Sequence, residues 1–151
     1  MDKKKKAIAL SIARKNRAWL KRHAGRKGSY PSVYPKDLAC GCAIASVRLL
    51  KSLKLKGFKD VSIVGNSSHC FLILEDHVLD VTATQFSPFE DTPVLFMKME
   101  DLQELCKSKR KNFWWEIETQ VTTPREFLKW QKEVRWAEDQ QIKPEHLKKV
   151  A

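Results

Sequence analysis

Between Gly57 and Val61 the spacing of apolar residues changes from helical to alternating, and this switch points to a mixed α+β chain. Upstream, residues 3 to 24 read as a basic helix. Ile8, Ile12, Trp19 and Leu20 form a loose apolar stripe, surrounded by Arg14, Lys15, Arg17, Lys21 and Arg22. Gly25 and Gly28 end it, and a turn-rich connector, Gly28-Ser29-Tyr30-Pro31-Ser32-Val33-Tyr34-Pro35, follows. A second helix is expected over residues 41 to 55. Ile44, Ala45, Leu49, Leu50 and Leu53 face a core there, Arg48, Lys51, Lys54 and Lys56 stay wet, and Gly57 stands where a helix favours its C-terminal glycine.

Downstream the period is two. Val61 to Val64 reads as a strand, Gly65 to Ser68 as a loop, and His69 to Leu74 and Val78 to Val81 as two strands reversing at Glu75-Asp76-His77. A strand at 94 to 97, a helix near 100 to 107 and a strand at 113 to 121 follow. The last helix starts at Thr122-Thr123-Pro124-Arg125-Glu126, with a threonine N-cap, proline in the first turn and an acid soon after. Phe127, Trp130 and Val134 give it a buried face; the polar end from Gln140 frays, apart from a short turn at 144 to 150.

The 151 residues suit one domain, with residues 1–27 as a basic helix, 37–121 as a core and 122–151 as a helical extension. A composition 42% hydrophobic supports a buried core, so wholesale disorder is not expected. No run of about 18 apolar residues is present to cross a bilayer. The start, MDKKKKAIALSIARK, mimics a signal peptide, but Arg14, Lys15 and Arg17 interrupt the apolar stretch, so a cytoplasmic protein is expected. Four cysteines do not make a disulfide scaffold. Cys40 and Cys42 are too close to bridge well, and reduced thiols follow.

One cysteine has a special place. At the first turn of a helix, unpaired N–H groups and the dipole favour a thiolate, and Cys42 stands there after Gly41, a residue that lets the backbone turn sharply and a substrate approach. Such a nucleophile needs a base and the base an orienting group. If Glu75 and Asp76 form a two-residue turn, Leu74 pairs with His77, and His69 and Asp80 become diagonal neighbours on one face of the hairpin.

The stretch Asp37-Leu38-Ala39-Cys40-Gly41-Cys42-Ala43-Ile44-Ala45-Ser46 resembles the nucleophile helix of small bacterial and phage papain-fold proteins, among them transglutaminase-like enzymes, deamidases and toxin domains. His69-Cys70-Phe71 with Val78-Leu79-Asp80-Val81-Thr82-Ala83-Thr84-Gln85-Phe86 resembles their histidine-plus-aspartate hairpin. The similarity covers residues 37 to 86, a third of the chain. It implies a papain/transglutaminase-like α+β fold, with Cys42 attacking an acyl carbon, His69 moving the proton and Asp80 holding the imidazole. It also implies a protein substrate in a phage or bacterial conflict setting, and no metal or cofactor. The Cys42 backbone N–H is one oxyanion donor. The glutamine that papain-type enzymes carry upstream of the cysteine is missing from the connector, which leaves Gly41 and Gln85 as the further substrate-binding or oxyanion candidates.

Blander roles compete. Cys42 can be a small core residue, Cys40 an alternative nucleophile or a filler, and His69 a loop hydrogen-bond partner. His77 reads as a turn residue, and His23 and His146 as surface residues. Asp80 in an apolar strand needs a partner, and His69 is the obvious one. A zinc site at Cys40, Cys42, His69 and Cys70 has suitable ligand types, but the C-x-C spacing is unusual. His69 and Cys70, adjacent on a strand, also point to opposite faces. Trp114, Trp115, Trp130 and Trp136 read as packing; with Lys109-Arg110-Lys111 the first two could instead stack single-stranded nucleic acid. A net charge of +11, with eleven Lys and Arg against one acid in residues 1 to 27, suggests an acidic protein or nucleic acid as partner. The competing class of function is therefore a non-catalytic basic binding module. The enzymatic reading has two requirements: the sulfur must be reachable from outside, and the imidazole must lie no more than one water from it.

Overall fold

The computed structural model describes residues 1–25, 30–66, 68–108, 117 and 119–133. Among them are four α-helices and a five-stranded antiparallel sheet. Helix α1, Lys3–His23, is capped by Asp2, whose Oδ1 accepts the Lys5 N–H at 2.8 Å. Helix α2 runs Cys42–Leu55. Strands β1 (Val61–Gly65), β2 (Cys70–Leu74) and β3 (His77–Asp80) form a meander. A short 3₁₀ turn, Ala83–Gln85, leads toward β4 (Leu95–Lys98) and α3 (Met99–Ser108). Then come β5 (Thr119–Val121) and α4 (Pro124–Glu133). The strand order is β4-β3-β2-β1-β5.

The two hydrophobic periods explain the layering. Helix α2 packs on β1 and β2, and α1 packs on α2. Between them Ile44, Val47, Leu50 and Leu53 meet Ile63, Leu72 and Leu74. The opposite face of the sheet holds Val64, Phe71 and Val78 against Leu102 of α3. Strand alternation therefore feeds two cores at once, which is why β1 to β3 are buried throughout apart from the half-buried Ile73. No described helix is long and apolar enough to cross a membrane.

Several expectations need adjusting. Ile8, assigned to the apolar stripe of α1, is 38% exposed; the buried face is Ala9, Ile12, Ala13, Asn16 and Leu20. Arg17, expected among the solvated cations, is half-buried and donates to the Val81 carbonyl at 2.6 Å and to Thr84 Oγ1 at 3.3 Å. These contacts with the loop after β3 outweigh the local pattern. His77 belongs to β3, opposite Leu74, because the reversal is the two residues Glu75-Asp76 alone, with Glu75 at φ 55°. At α4, Thr123 Oγ1 accepts the Glu126 N–H, and Glu126 Oε2 reaches back to the Thr122 and Thr123 N–H groups. That reciprocal cap accounts for the helix start. Phe127 is fully buried and Trp130 lies against it, ring centroids 5.7 Å apart. The expectations for residues 26–29, 109–116 and 134–151, which include Gly28, Trp114, Trp115, Trp136, Val134 and His146, lie outside the described residues.

Candidate active site

The loop into α2 makes two unusual turns. Leu38 and Cys40 have φ of 61° and 66°, the left-handed region that non-glycine residues rarely enter. The Tyr34 N–H donates to Ala39 O and the Gly41 N–H to Leu38 O, closing the loop on itself. Cys42 then opens α2, and no side chain caps its first turn. The N-terminal dipole thus acts on the Cys42 sulfur without a competing carboxylate. Cys40 lies before the helix and half-buried, where burial pushes its thiol pKa up.

The imidazole of His69 arrives from the residue just before β2. Asn66 Oδ1 accepts the N–H groups of Ser68 and His69, at 2.8 and 3.0 Å, and so tightens the loop that delivers the ring. His69 Nε2 lies 2.6 Å from Asp80 Oδ2. Asp80 Oδ1 accepts the Thr82 N–H at 2.7 Å and the Thr82 hydroxyl at 3.0 Å, so both carboxylate oxygens are engaged. The hairpin register places the pair: Leu74↔His77, Ile73↔Val78 and Leu72↔Leu79 set Phe71 opposite Asp80, with His69 two residues further on.

Cys42 completes the group. Its pKa is pulled down to about 5, first by the Cys70 thiol, which hydrogen-bonds to the sulfur, and also by the His69 ring and the Cys70 N–H, against the cost of burial. Burial disfavours a charged His69, but the charge and hydrogen bond of Asp80, with help from Cys42, raise its pKa to about 9. Cys70 is pushed well above the ordinary thiol range by burial and by the neighbouring sulfur. The shifts run in the direction of a thiolate–imidazolium pair, with Cys70 kept protonated beside it. His69 Nε2 is committed to Asp80, and the ring also borders the Cys42 sulfur.

Cys70, Thr82, Asn66 and Arg17 carry site geometry that sequence reasoning passed over. Cys70 and His69 do not point to opposite sides of the site: both reach Cys42, because the β1–β2 ladder ends at Gly65↔Cys70 and His69 lies beyond the strand. A Cβ on Gly65 would come within 2.6 Å of His69 O, so this turn is close-packed. The Cys70 thiol also faces Ser46 Oγ at 3.6 Å, one helical turn from Cys42. Among the described residues no three His, Cys, Asp or Glu side chains are arranged to hold a metal ion.

Gly41 is placed by packing. An added Cβ would meet Leu38 O at 2.9 Å and the side chains of Leu20 and Val33 at about the same distance, so the glycine faces the protein's own core. Its N–H is spent on Leu38 O. Gln85 is half-buried and its Nε2 donates to Thr82 O at 3.0 Å.

The group is enclosed, so the requirement that the sulfur be reachable from outside is not met in this conformation. Cys42 is 2% exposed, Asp80 2% and His69 0%. His69 was expected in an exposed position; instead the edge of Phe86 packs against its ring at 4.7 Å and Phe71 stacks at 5.9 Å. Comparison with protein-family models, curated proteins and solved structures returns no match. The site must be read from its own chemistry.

Proposed function

We propose that this chain is a cysteine-dependent acyl-transfer enzyme of papain/transglutaminase-like type, acting at an amide bond of a protein. The observation that carries this reading is the pairing of Cys42, the first residue of α2, with a His69 whose far nitrogen is held by Asp80. At pH 7 an ordinary thiol of pKa about 8.5 is only a few per cent ionised. With its pKa near 5, Cys42 is almost wholly thiolate. The thiolate attacks the amide carbon, the Cys42 backbone N–H faces the developing oxyanion, and the His69 imidazolium protonates the departing amine. The resulting thioester passes its acyl group to water, giving hydrolysis or deamidation, or to an amine, giving a crosslink; His69 takes up the acceptor's proton. The chain's free cysteines suit a reducing, cytoplasmic setting.

Burial favours a second reading, in which the His69–Asp80–Cys42 group is a polar core element and the chain is a binding module. Mass spectrometry of candidate proteins incubated with wild type or Cys42→Ala separates the two. Cleavage, a one-dalton gain or a crosslink that depends on Cys42 supports the enzyme. Identical spectra from both proteins, across substrates that the wild type demonstrably binds, sink it.

A further inference from the structure

The basic charge is segregated. Of the 29 Lys and Arg residues, 17 lie in residues 1–59, against two acids, Asp2 and Asp37; residues 60–151 hold 12 against 16 acids. Both early acids are occupied by backbone N–H groups, Asp2 at the start of α1 and Asp37 accepting from Ala39 at 3.0 Å. The structure turns this segregation into a surface, because α1 and α2 pack side by side as the outer layer over one face of the sheet.

We infer that this layer is a nucleic-acid-binding surface that grips the sugar–phosphate backbone. Lys4, Lys15 and Arg22 fall on one stripe of α1 at heptad-like spacing, and all three are exposed. From Lys4 to Arg22 the stripe runs about 27 Å, long enough to follow several successive phosphates of one strand. Beside it a groove between the helices is lined by Lys15, Asn16, Arg48, Ser52 and Lys56, with Ile12 and Leu55 also on its wall. Asn16 is 6% exposed, and its Nδ2 donates to Ile12 O at 2.9 Å. Its Oδ1 and the Arg48 Nε are buried without a hydrogen-bond partner. The Arg48 guanidinium lies over the Trp19 ring, 3.9 Å from its centroid, and the positive charge along the groove suits the anionic oxygens of a nucleotide chain. An acidic protein would ask for an apolar core to the interface. The large exposed apolar side chains of this layer are Ile8, outside the groove, and Leu55, on its wall, too few to form such a core.

The test is fluorescence anisotropy with labelled 30-nucleotide RNA and DNA single strands over a salt series, on the full-length protein. Affinity should fall steeply with salt, and Cys42→Ala should bind as the wild type does, since this surface is independent of the sulfur. Lys15→Ala/Arg22→Ala/Lys56→Ala should weaken binding at least tenfold and flatten the log–log salt slope by about 2. Lys107→Ala, on α3 over the other face, should leave it unchanged. The substituted lysines and arginine are exposed and Cys42 is buried, and thermal melts of each variant confirm folding. No binding of either strand at 50 mM salt, an equal loss from Lys107→Ala, or displacement by poly-glutamate as effective as by nucleic acid would overturn the proposal.

Discussion

A buried thiolate must be stabilised by donors other than water, and at Cys42 the largest share comes from the Cys70 thiol. Alkylation of Cys42 by iodoacetamide should therefore follow a titration midpoint near pH 5, read by peptide mass spectrometry. In Cys70→Ala that midpoint should climb toward the ordinary thiol value of about 8.5. An unchanged midpoint would mean that the helix terminus and His69 suffice. His69 gives a prediction of stability. Its folded pKa, about 9, is raised above the unfolded value, so its contribution is full below about pH 6.5 and is lost as pH rises through 9. Cys42 works in the opposite sense: its depressed pKa adds stability as pH rises from about 5 toward its unfolded value. In the wild type the two trends offset each other between pH 6.5 and 9. In Cys42→Ala only the histidine trend remains, over a narrower window because Cys42 no longer helps to raise that pKa, so urea-melt stability should decline as pH rises above 6.5 where the wild type holds level. Asp80→Ala leaves the ring buried without its carboxylate and should cost about 3–5 kcal/mol.

The elements that bring these residues together rest on two tight places. At Gly65 the chain turns between β1 and β2 with no room for a side chain, the neighbouring Cys70 Cβ being 2.8 Å from where one would stand. Gly65→Ala should destabilise by about 1–3 kcal/mol and, by pushing His69 O aside, slow the alkylation of Cys42; denaturant melts and labelling kinetics read both effects. Gly57 differs: its φ is 89° and a Cβ there meets open space, so alanine should cost about 1 kcal/mol and leave the site untouched. The sequence made the hairpin legible because a two-residue turn admits one register, and Leu74↔His77 fixes where Asp80 falls. Helix α2 was legible from its apolar spacing and Gly57. The approach of Cys70 to Cys42 was not, since strand alternation says nothing of where a ladder ends. Nor was the enclosure of the site: Phe86 and Asn66 cover or close it through contacts that no local period encodes. The inward turn of Arg17 is of the same kind, set by Val81 and Thr84 far along the chain.

At the scale of the molecule the question is how a sealed sulfur meets a substrate. Cys42 lies in the core between the helical layer and the sheet, yet part of its cover is thin: Phe86 and Gln85 are half-buried in the segment after β3, and Ser68 in the Asn66–His69 turn is exposed. The rest of the core is built on long ladders and a continuous apolar layer. A local opening that lifts the segment around Phe86 exposes the sulfur and leaves the sheet intact, whereas a purely structural cysteine becomes reachable only when the fold as a whole comes apart. The two cases respond differently to urea. Global unfolding of a domain this size carries a slope of about 1–3 kcal/mol per molar urea, while a small local opening carries almost none. Labelling of Cys42 measured from 0 to 1 M urea should therefore be nearly independent of denaturant, and Phe86→Ala should accelerate it at least tenfold with little change in the midpoint of the global melt. A labelling rate that rises along the global slope, and that Phe86→Ala alters only in step with stability, would make the His69–Asp80–Cys42 group a buried polar core rather than a catalytic one.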